Sequence, residues 1–497
     1  MRKSGILLHV SSLPSGFGIG DLGSGAYKFA DFLADAGQSV WQLLPFNPSS
    51  PVCGNSPYCS CSAFAGNSLL IGLEPLVEAG CIDGADLARP PCFSARRADY
   101  VQAARFKYEV LEIAFQRFRS VPDLECRFEN FLLENAGWLD DYALFTALKD
   151  HFGGAAWNEW PRDIRDREGP AVEHRTRELS GKIAREKFHQ FLFFSQWSAL
   201  KAYCNEKKIQ LFGDVPIYVS YDSADVWANP RLFKLDENKK PRFVSGVPPD
   251  YFSETGQLWG NPVYDWDALR ESSYAWWISR MEHNMKYLDM MRLDHFRGFV
   301  AYWEVPASHT TAIEGKWVEA PVRDFFDTLL KRFPFLPIVA EDLGIITPDV
   351  KETMEFYGFP GMKLLQFAFG DDPATNPYTP HNHVRNCIVY TGTHDNNTTR
   401  GWFEHDLGER GTENLLGYLG PHINVGNASR ELIRFAMMSV ADTAVTPMQD
   451  FLDLGAEARM NTPSTPFGNW EWRVAAEQLT PELAEKIREI TRLCGRV

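Results

Sequence analysis

Three acidic residues lie where apolar runs of the sequence end. They are Asp294, Glu341 and Asp395, at or near the ends of residues 290–295, 338–344 and 387–395. Cleavage of a glycosidic bond with retention of configuration needs two carboxyl groups about 5–5.5 Å apart, a nucleophile and an acid that later acts as base. Arg292 precedes Asp294 by two residues, so on a strand it would share that face and orient the carboxylate. A lone acid is more often a surface or capping residue, but three in one context favour this chemistry.

Short apolar runs of the kind that forms buried parallel strands carry these acids. There are eight, at residues 5–10, 39–45, 210–219, 290–295, 338–344, 362–369, 387–395 and 443–452. Helical patterns at 184–207 and 274–287 precede two of them, and strands that alternate with helices indicate a parallel sheet. Eight such strands predict an α/β fold, a (β/α)₈ TIM barrel, whose chemistry lies at the C-terminal strand ends. The three acids would therefore meet at one mouth.

The uneven spacing of the runs predicts insertions. We expect residues 1–497 to form a single (β/α)₈ catalytic domain. Residues 47–205 would be inserted between strands 2 and 3 as one or two mostly helical subdomains, with amphipathic helices at 98–118 and 138–152. Residues 220–264 would form an inserted active-site loop region after strand 3. The short tail after the eighth run suffices for a last helix at 480–493 but not for a separate C-terminal β-domain.

Composition excludes some classes of function. The net charge of −15 would repel a polyanion, so we expect no nucleic-acid partner. No run of about 18 apolar residues is present for a membrane span. The nine cysteines are scattered and include no C-x-x-C pair, which fits a reducing compartment, and the short run at 6–8 is not a signal peptide. We therefore expect a cytoplasmic protein without a membrane partner. The 15 Trp, 17 Tyr and 35 Phe fit a sugar-binding groove, although most will be core residues.

Other motifs give weaker signals. His9, His295 and His394 also lie at strand ends, where hydrogen bonds to substrate hydroxyls are a better interpretation than metal ligation. Cys59 and Cys61 have neither zinc-site spacing nor neighbouring histidines. The glycines at 16, 18 and 20 lack the spacing of a dinucleotide-binding loop, and a flexible turn is the better interpretation. We predict no metal and no cofactor.

At several motifs the chain resembles the amylomaltases, the 4-α-glucanotransferases of glycoside hydrolase family 77 in the α-amylase clan. The motifs are RLDHFRG at 292–298, AEDLG at 340–344, GTHDN at 392–396, GDVPI at 213–217, HVSSLP at 9–14, SPY at 56–58, SAFAGN at 62–67 and the long GVPPDYFS…GQ-x-WGNP at 246–262. The similarity extends from residue 5 to about residue 475, and the motif at 246–262 is specific to this family within the clan. Where the family often carries Gln after Ser-Pro-Tyr, this chain has Cys59.

The resemblance implies a role for each matching residue. Asp294 would be the nucleophile, Glu341 the acid and base, and Asp395 a third carboxylate that binds sugar hydroxyls and stabilises the transition state. Substrate-binding residues implied in the same way are Arg292, which supports the nucleophile, His394 and Asp214 at the cleavage site, Tyr58, Tyr251, Phe252 and Trp259 along the glucan, and Ser56, Asp250, Gln257 and Asn469. The lack of an extra C-terminal β-domain in the family agrees with the short tail.

The implied activity is transfer of α-1,4-glucan segments to an acceptor through a covalent glucosyl-enzyme on Asp294. The implied partners are maltooligosaccharides and α-1,4-glucans derived from starch or glycogen, with glucose as an acceptor. The stiff, aromatic segment 248–262, with three Pro, would hold an acceptor and limit water, which favours transfer over hydrolysis. Two alternatives remain: an α-amylase-type hydrolase with the same acids, and a non-catalytic glucan-binding protein, against which the three carboxylates argue.

Overall fold

Eight parallel strands form a barrel in the computed structural model, which describes residues 2–249 and 253–497. The barrel strands are β1 (Lys3–Leu7), β2 (Val40–Gln42), β3 (Gln210–Pro216), β6 (Met290–Asp294), β9 (Ile338–Ala340), β10 (Gly361–Leu364), β11 (Cys387–Tyr390) and β12 (Thr443–Pro447). Their order in the sheet is β10-β11-β12-β1-β2-β3-β6-β9, and the amide of Ala340 donates to the carbonyl of Pro360 over 2.9 Å between its two ends. The predicted (β/α)₈ barrel is thus confirmed.

Each of the eight apolar runs contains or overlaps one barrel strand, but most of the runs extend beyond it. The run predicted at 210–219 ends as a strand at Pro216, and the run at 387–395 ends at Tyr390. The residues that follow turn into the loops of the barrel mouth, where polar side chains replace buried apolar ones. Within the barrel, β1 and β2 approach closely at Gly5. A Cβ at this position would lie 2.4 Å from the carbonyl oxygen of Val40, so only glycine fits.

Helices surround the barrel and fill the stretch between β2 and β3. They are α1 (Ser24–Asp35), α2 (Glu74–Glu78), α3 (Tyr100–Arg117), α4 (Pro122–His151), α5 (Arg162–Arg165), α6 (Gly169–Glu178), α7 (Ser180–Glu206), α8 (Ala224–Ala228), α9 (Trp266–Glu271), α10 (Ala275–Tyr287), α11 (Val322–Arg332), α12 (Pro348–Tyr357), α13 (Thr399–Gly401), α14 (Gly408–Leu419), α15 (Ala428–Met438), α16 (Met448–Phe451) and α17 (Pro481–Leu493). The helices predicted around 98–118, 138–152, 184–207, 274–287 and 480–493 are α3, α4, α7, α10 and α17. None of the helices in the described ranges is long and apolar enough to cross a membrane.

A second, antiparallel sheet lies beside the barrel and was not predicted. Its strands are β4 (Phe243–Val247), β5 (Gln257–Pro262), β7 (Ala301–Pro306) and β8 (Lys316–Glu319), in the order β5-β4-β7-β8. The segment predicted as a loop region at 220–264 therefore contributes two strands, and the chain after β6 contributes the other two. Its central pairing, β4 with β7, joins residues about 60 positions apart, for example Val244 and Val305, and local sequence pattern does not reveal such a pairing. This sheet carries Gln257 and Trp259.

Candidate active site

The centre of the site is one buried guanidinium between two carboxylates. Arg292 of β6 lies opposite Asp214 of β3 in the parallel register. Its Nη1 donates to both carboxylate oxygens of Asp214, at 2.8 and 2.7 Å, and its Nη2 lies 2.7 Å from Oδ1 of Asp294. Arg292 and Asp214 are almost wholly buried, whereas the side chain of Asp294 is 27% exposed at the mouth. Arg292 thus orients the exposed carboxylate of Asp294. The contact agrees with the expectation that residues two apart on a strand share one face.

Tyr58 links Asp214 to His394 across the barrel mouth. Its hydroxyl donates to Oδ2 of Asp214 over 2.7 Å and lies 2.8 Å from Nε2 of His394. Burial lowers the pKa of His394, so the ring is neutral, and since Tyr58 donates to the carboxylate, its oxygen accepts from Nε2–H. The two rings stack at 5.3 Å with an interplanar angle of 15°, and Trp470 packs against both. The ring of Tyr58 is therefore fixed over the residues at the ends of β3 and β11.

Glu341 is held by two backbone amides at the end of β9. The N–H of His295 donates to Oε2 over 2.7 Å, and the N–H of Leu343 donates to Oε1 over 2.8 Å. His295 follows Asp294 directly and has the left-handed conformation, φ 52° and ψ 54°, which turns its N–H toward Glu341. The backbone at the end of β6 therefore joins two of the predicted catalytic acids.

The charges around Arg292 favour a retained proton. Burial raises the pKa of Glu341 to about 7, with the negative charge of Asp294 adding to the shift and Arg292 opposing it. Burial likewise raises the pKa of Asp214, again against the pull of Arg292. One guanidinium cannot neutralise three nearby carboxylates, so near neutral pH this cluster keeps a proton that a neighbouring substrate oxygen can receive.

Asp395 is held by residues from after β12. The side-chain amide of Asn461 donates to Oδ1 over 2.7 Å, and Arg459 donates to the carbonyl oxygen of Asp395 over 2.6 Å. Oδ2 lies 3.4 Å from Nε2 of His394, and the side chain remains 45% exposed. An acid fixed by hydrogen bonds on one side and open on the other is suited to bind sugar hydroxyls.

The other predicted substrate-binding residues have more varied surroundings. Trp259 is 38% exposed on β5, and its ring meets the ring of His295 edge-on at 4.7 Å. Gln257 accepts from Nε1 of Trp259 over 3.2 Å. Ser56 accepts from the amide of Tyr58, so it shapes the turn that carries the tyrosine. The Asn469 amide bonds to Thr462 and Thr465 within the loop 462–469. For Ser56 and Asn469, contact with sugar stays a prediction.

Three predicted substrate-binding residues, Asp250, Tyr251 and Phe252, lie outside the described residues, so the structure does not test them. Over residues 2–249 and 253–497, no group of three or more His, Cys, Asp and Glu side chains has the arrangement of a metal site. His9 is buried, and burial lowers its pKa to about 3, so it is neutral beside the site.

Comparison with known proteins identifies the family. The profile of 4-alpha-glucanotransferases, glycoside hydrolase family 77, matches residues 8–479. The chain is 50% identical over 500 residues to the 4-alpha-glucanotransferase of Synechocystis sp., covering 100% of this chain and 98% of that protein. It is 48% identical over 496 residues to the enzyme of Aquifex aeolicus, with 100% of both covered. The chain belongs to the 4-alpha-glucanotransferase family. The predicted resemblance is confirmed, and with it 4-alpha-glucanotransferase activity.

Solved structures agree with this family. The amylomaltase of Streptococcus agalactiae in complex with acarbose matches with a TM-score of 0.95 and 40% identity, each chain covered completely. The amylomaltase of Corynebacterium glutamicum, at 17% identity and a TM-score of 0.80 over 100% of this chain and 75% of that one, shares the fold. This glucanotransferase chain therefore has an amylomaltase barrel.

Several residues that hold the site together were not found from the sequence. The backbone amides of His295 and Leu343 carry no side-chain signal, because any residue supplies an N–H. Asn461 and Arg459 act on Asp395 across 66 and 64 positions. The only available signal was their location just after the last barrel strand, where mouth loops are expected. Cys53 and Cys59 form a disulfide, a pairing that the scattered cysteines did not predict.

Proposed function

We propose that this glucanotransferase works by a retaining double displacement in which Asp294 is the nucleophile and Glu341 the acid and base. The observation that carries the proposal is the chain of hydrogen bonds and close polar contacts from Asp294 through Arg292, Asp214, Tyr58 and His394 to Asp395. Glu341 is linked to it at the backbone of His295. These groups line one mouth, and the acids at its surface stay accessible.

In the first step, Glu341 protonates the oxygen of the leaving glucan while Asp294 forms a bond to the anomeric carbon. A raised pKa suits Glu341 to this step, because the protonated form is still populated near neutral pH. Asp294 is paired with Arg292, which fixes the carboxylate oxygen and balances its charge. Asp395 and His394 would bind hydroxyls of the same sugar ring and stabilise the positive charge that develops on it.

In the second step, the now ionised Glu341 deprotonates an acceptor hydroxyl, which attacks the anomeric carbon and releases Asp294. Two inversions at one carbon restore the α configuration. The hydrogen bonds that Glu341 accepts from two backbone amides are compatible with its ionised form, since a carboxylate accepts from N–H groups. The side chain would rotate away from one amide to reach the glycosidic oxygen when substrate binds.

The second sheet would influence whether a sugar hydroxyl or water attacks the glucosyl-enzyme. Trp259 offers an apolar face at the mouth, next to the ring of His295, which itself follows the nucleophile. Stacking of an acceptor sugar on this face would favour a sugar hydroxyl over water. We also assign Tyr251, Phe252, Asp250, Gln257, Ser56 and Asn469 to glucan binding, on the resemblance of their motifs.

The donors would be maltooligosaccharides and α-1,4-glucans derived from starch or glycogen, and the acceptors glucose or another glucan. The Streptococcus agalactiae amylomaltase was solved in complex with acarbose, and at 40% identity over the whole chain we expect this chain to bind acarbose too.

The test is the product profile from maltotriose as the only substrate. A transferase yields glucose together with a ladder of longer chains, because glucose leaves from one donor and the segment bound to the enzyme is added to another chain. A hydrolase of the α-amylase type yields only shorter sugars, and a glucan-binding protein yields none. The ladder with little hydrolysis is the expected result, and shorter sugars alone would contradict the proposal. Asp294→Asn serves as the inactive control.

A further inference from the structure

A disulfide lies next to the tyrosine that connects Asp214 with His394. Cys53 and Cys59 are six residues apart and bonded, and both are half-buried. The ring that they close contains Ser56 and Tyr58. In a reducing compartment, where the scattered cysteines suggest this chain belongs, a disulfide is usually transient and either catalytic or redox-sensing.

The loop that carries the disulfide is held by hydrogen bonds but contains no α-helix and no strand. Between β2 and α2 the chain forms only 3-10 turns, at Pro51–Cys53 and Ser68–Leu70. Within the loop, the amides of Cys53 and Asn55 both donate to the carbonyl of Ser50. Gly54 packs against the carbonyl of Pro466, in the loop that follows Asn461. The disulfide is therefore a covalent restraint on a segment that otherwise lacks regular secondary structure.

The two sulfurs differ in their surroundings. Both cysteines are half-buried, and Cys53 follows Val52, which is 92% exposed. Cys59 accepts a hydrogen bond from the hydroxyl of Ser220 over 3.7 Å. A donor at sulfur stabilises a thiolate, and a more stable thiolate is a better leaving group in thiol–disulfide exchange. The geometry therefore favours attack at Cys53 with Cys59 leaving.

We propose that Cys53 and Cys59 form a thiol–disulfide exchange site for a dithiol reductant, and that its redox state sets the affinity of the enzyme for donor glucan. One thiolate of the reductant bonds to Sγ of Cys53, the disulfide breaks, and Cys59 leaves and takes a proton. The second thiolate of the reductant then attacks the reductant sulfur that is bonded to Cys53. The mixed disulfide breaks, the reductant becomes a disulfide, and Cys53 is released and protonated. Two electrons and two protons pass to the protein.

Reduction acts on Tyr58 and leaves the strand-borne acids in place. With the ring open, the segment must be ordered when donor binds, and that ordering lowers the affinity for donor. We therefore expect the reduced enzyme to have a KM for maltotriose roughly three- to tenfold higher, with a smaller change in kcat. This inference rests on the proposed function, because its readout is glucan transfer.

The experiment compares the full-length enzyme equilibrated with oxidised glutathione or with dithiothreitol. Alkylation followed by fragmentation mass spectrometry reports whether Cys53 and Cys59 are free, separately from the unpaired Cys61, and maltotriose kinetics report KM. We expect no label at Cys53 and Cys59 and a low KM in the oxidised enzyme, label at both and a high KM in the reduced one, and reversal on reoxidation. Label at both under both conditions, or an equal KM in both states, would overturn the proposal.

Two variants locate the response. Cys53→Ser, with folding checked by circular dichroism, should keep the high KM under both conditions. Cys126→Ser, which removes an exposed unpaired thiol on α4, should respond as the parent enzyme does. A response that persists in Cys53→Ser would also overturn the proposal. Absence of transfer in both redox states would instead contradict the proposed function, since the alkylation masses report the exchange chemistry independently.

Discussion

The two halves of the site differ in how the chain positions them. Asp214, Arg292, Asp294 and Glu341 lie at the ends of three neighbouring strands, where parallel register fixes their spacing. Tyr58, Trp259 and the loop after β12 instead reach the mouth from segments outside the barrel. The first half is largely buried and held by charge-assisted hydrogen bonds, and the second is more exposed. Bond cleavage and formation should therefore depend on the residues at the strand ends. The ratio of transfer to hydrolysis and the affinity for glucan should depend on the residues of the loops and of the second sheet.

Among the changes that leave the three acids in place, the largest effect should follow from removal of the central cation. Arg292→Met leaves Asp214 and Asp294 without their shared partner, and loss of one partner of a buried ion pair costs about 3–5 kcal/mol. We expect kcat/KM on maltotriose to fall at least 10²–10³-fold, on the order of that energy. Arg270→Met, at an exposed ion pair with Asp324, is the matched control and should retain activity. Near-normal rates in Arg292→Met would show that the pairing of Arg292 with Asp214 and Asp294 is not needed for catalysis.

The dependence on pH should report the proton in the cluster. The folded pKa of Glu341 is raised to about 7, so its protonated form predominates below that pH and disappears as the pH rises through it. Because the first step needs the protonated acid, kcat/KM should fall on the alkaline side of about pH 7. This limb belongs to the coupled acids and should be absent from the residual activity of Glu341→Gln. An alkaline limb unchanged in that variant would assign it to another group.

A smaller effect should arise from the backbone at His295. Gly adopts a left-handed conformation freely, whereas a β-branched residue is strained there by about 1–3 kcal/mol. His295→Val should misdirect the N–H that binds Glu341 and lower kcat roughly tenfold more than His295→Gly. Both variants lose the imidazole, so their difference isolates the backbone. Equal kcat values in the two variants would show that only the ring matters.

The smallest effect belongs to the second sheet. Trp259→Ala removes an aromatic face worth on the order of 1 kcal/mol, so the ratio of hydrolysis to transfer on maltotriose should rise several-fold, with total turnover less affected. Phe335→Ala, an equally simple loss of an exposed ring before β9 at the opposite end of the barrel, is the control. An unchanged ratio in Trp259→Ala would remove this residue from acceptor binding.

The same contrast explains what the sequence could predict. The barrel was predictable because each buried strand is a short apolar run, and the acids were predictable because they end such runs at a shared mouth. The second sheet was missed as a unit because its central pairing, β4 with β7, joins distant segments. The hydrogen bonds from Asn461 to Asp395 and from Tyr58 to Asp214 were missed for the same reason. Local pattern determines strands, whereas contacts across the mouth depend on the completed fold.

The most direct test of the account uses Glu341→Gln with two donors. On maltotriose, whose leaving group must be protonated, the rate should fall by roughly 10²–10⁴-fold. With α-glucosyl fluoride, whose leaving group needs little protonation, the first step should proceed while the second lacks its base.

A hexose should then accumulate on Asp294 and be detected as added mass on the peptide that contains it. Azide, which needs no deprotonation, should release it as the α-glucosyl azide. Asp294→Asn, the control, should show neither effect. Equal losses on both donors, with no added mass and no rescue by azide, would contradict the assignment of Asp294 and Glu341.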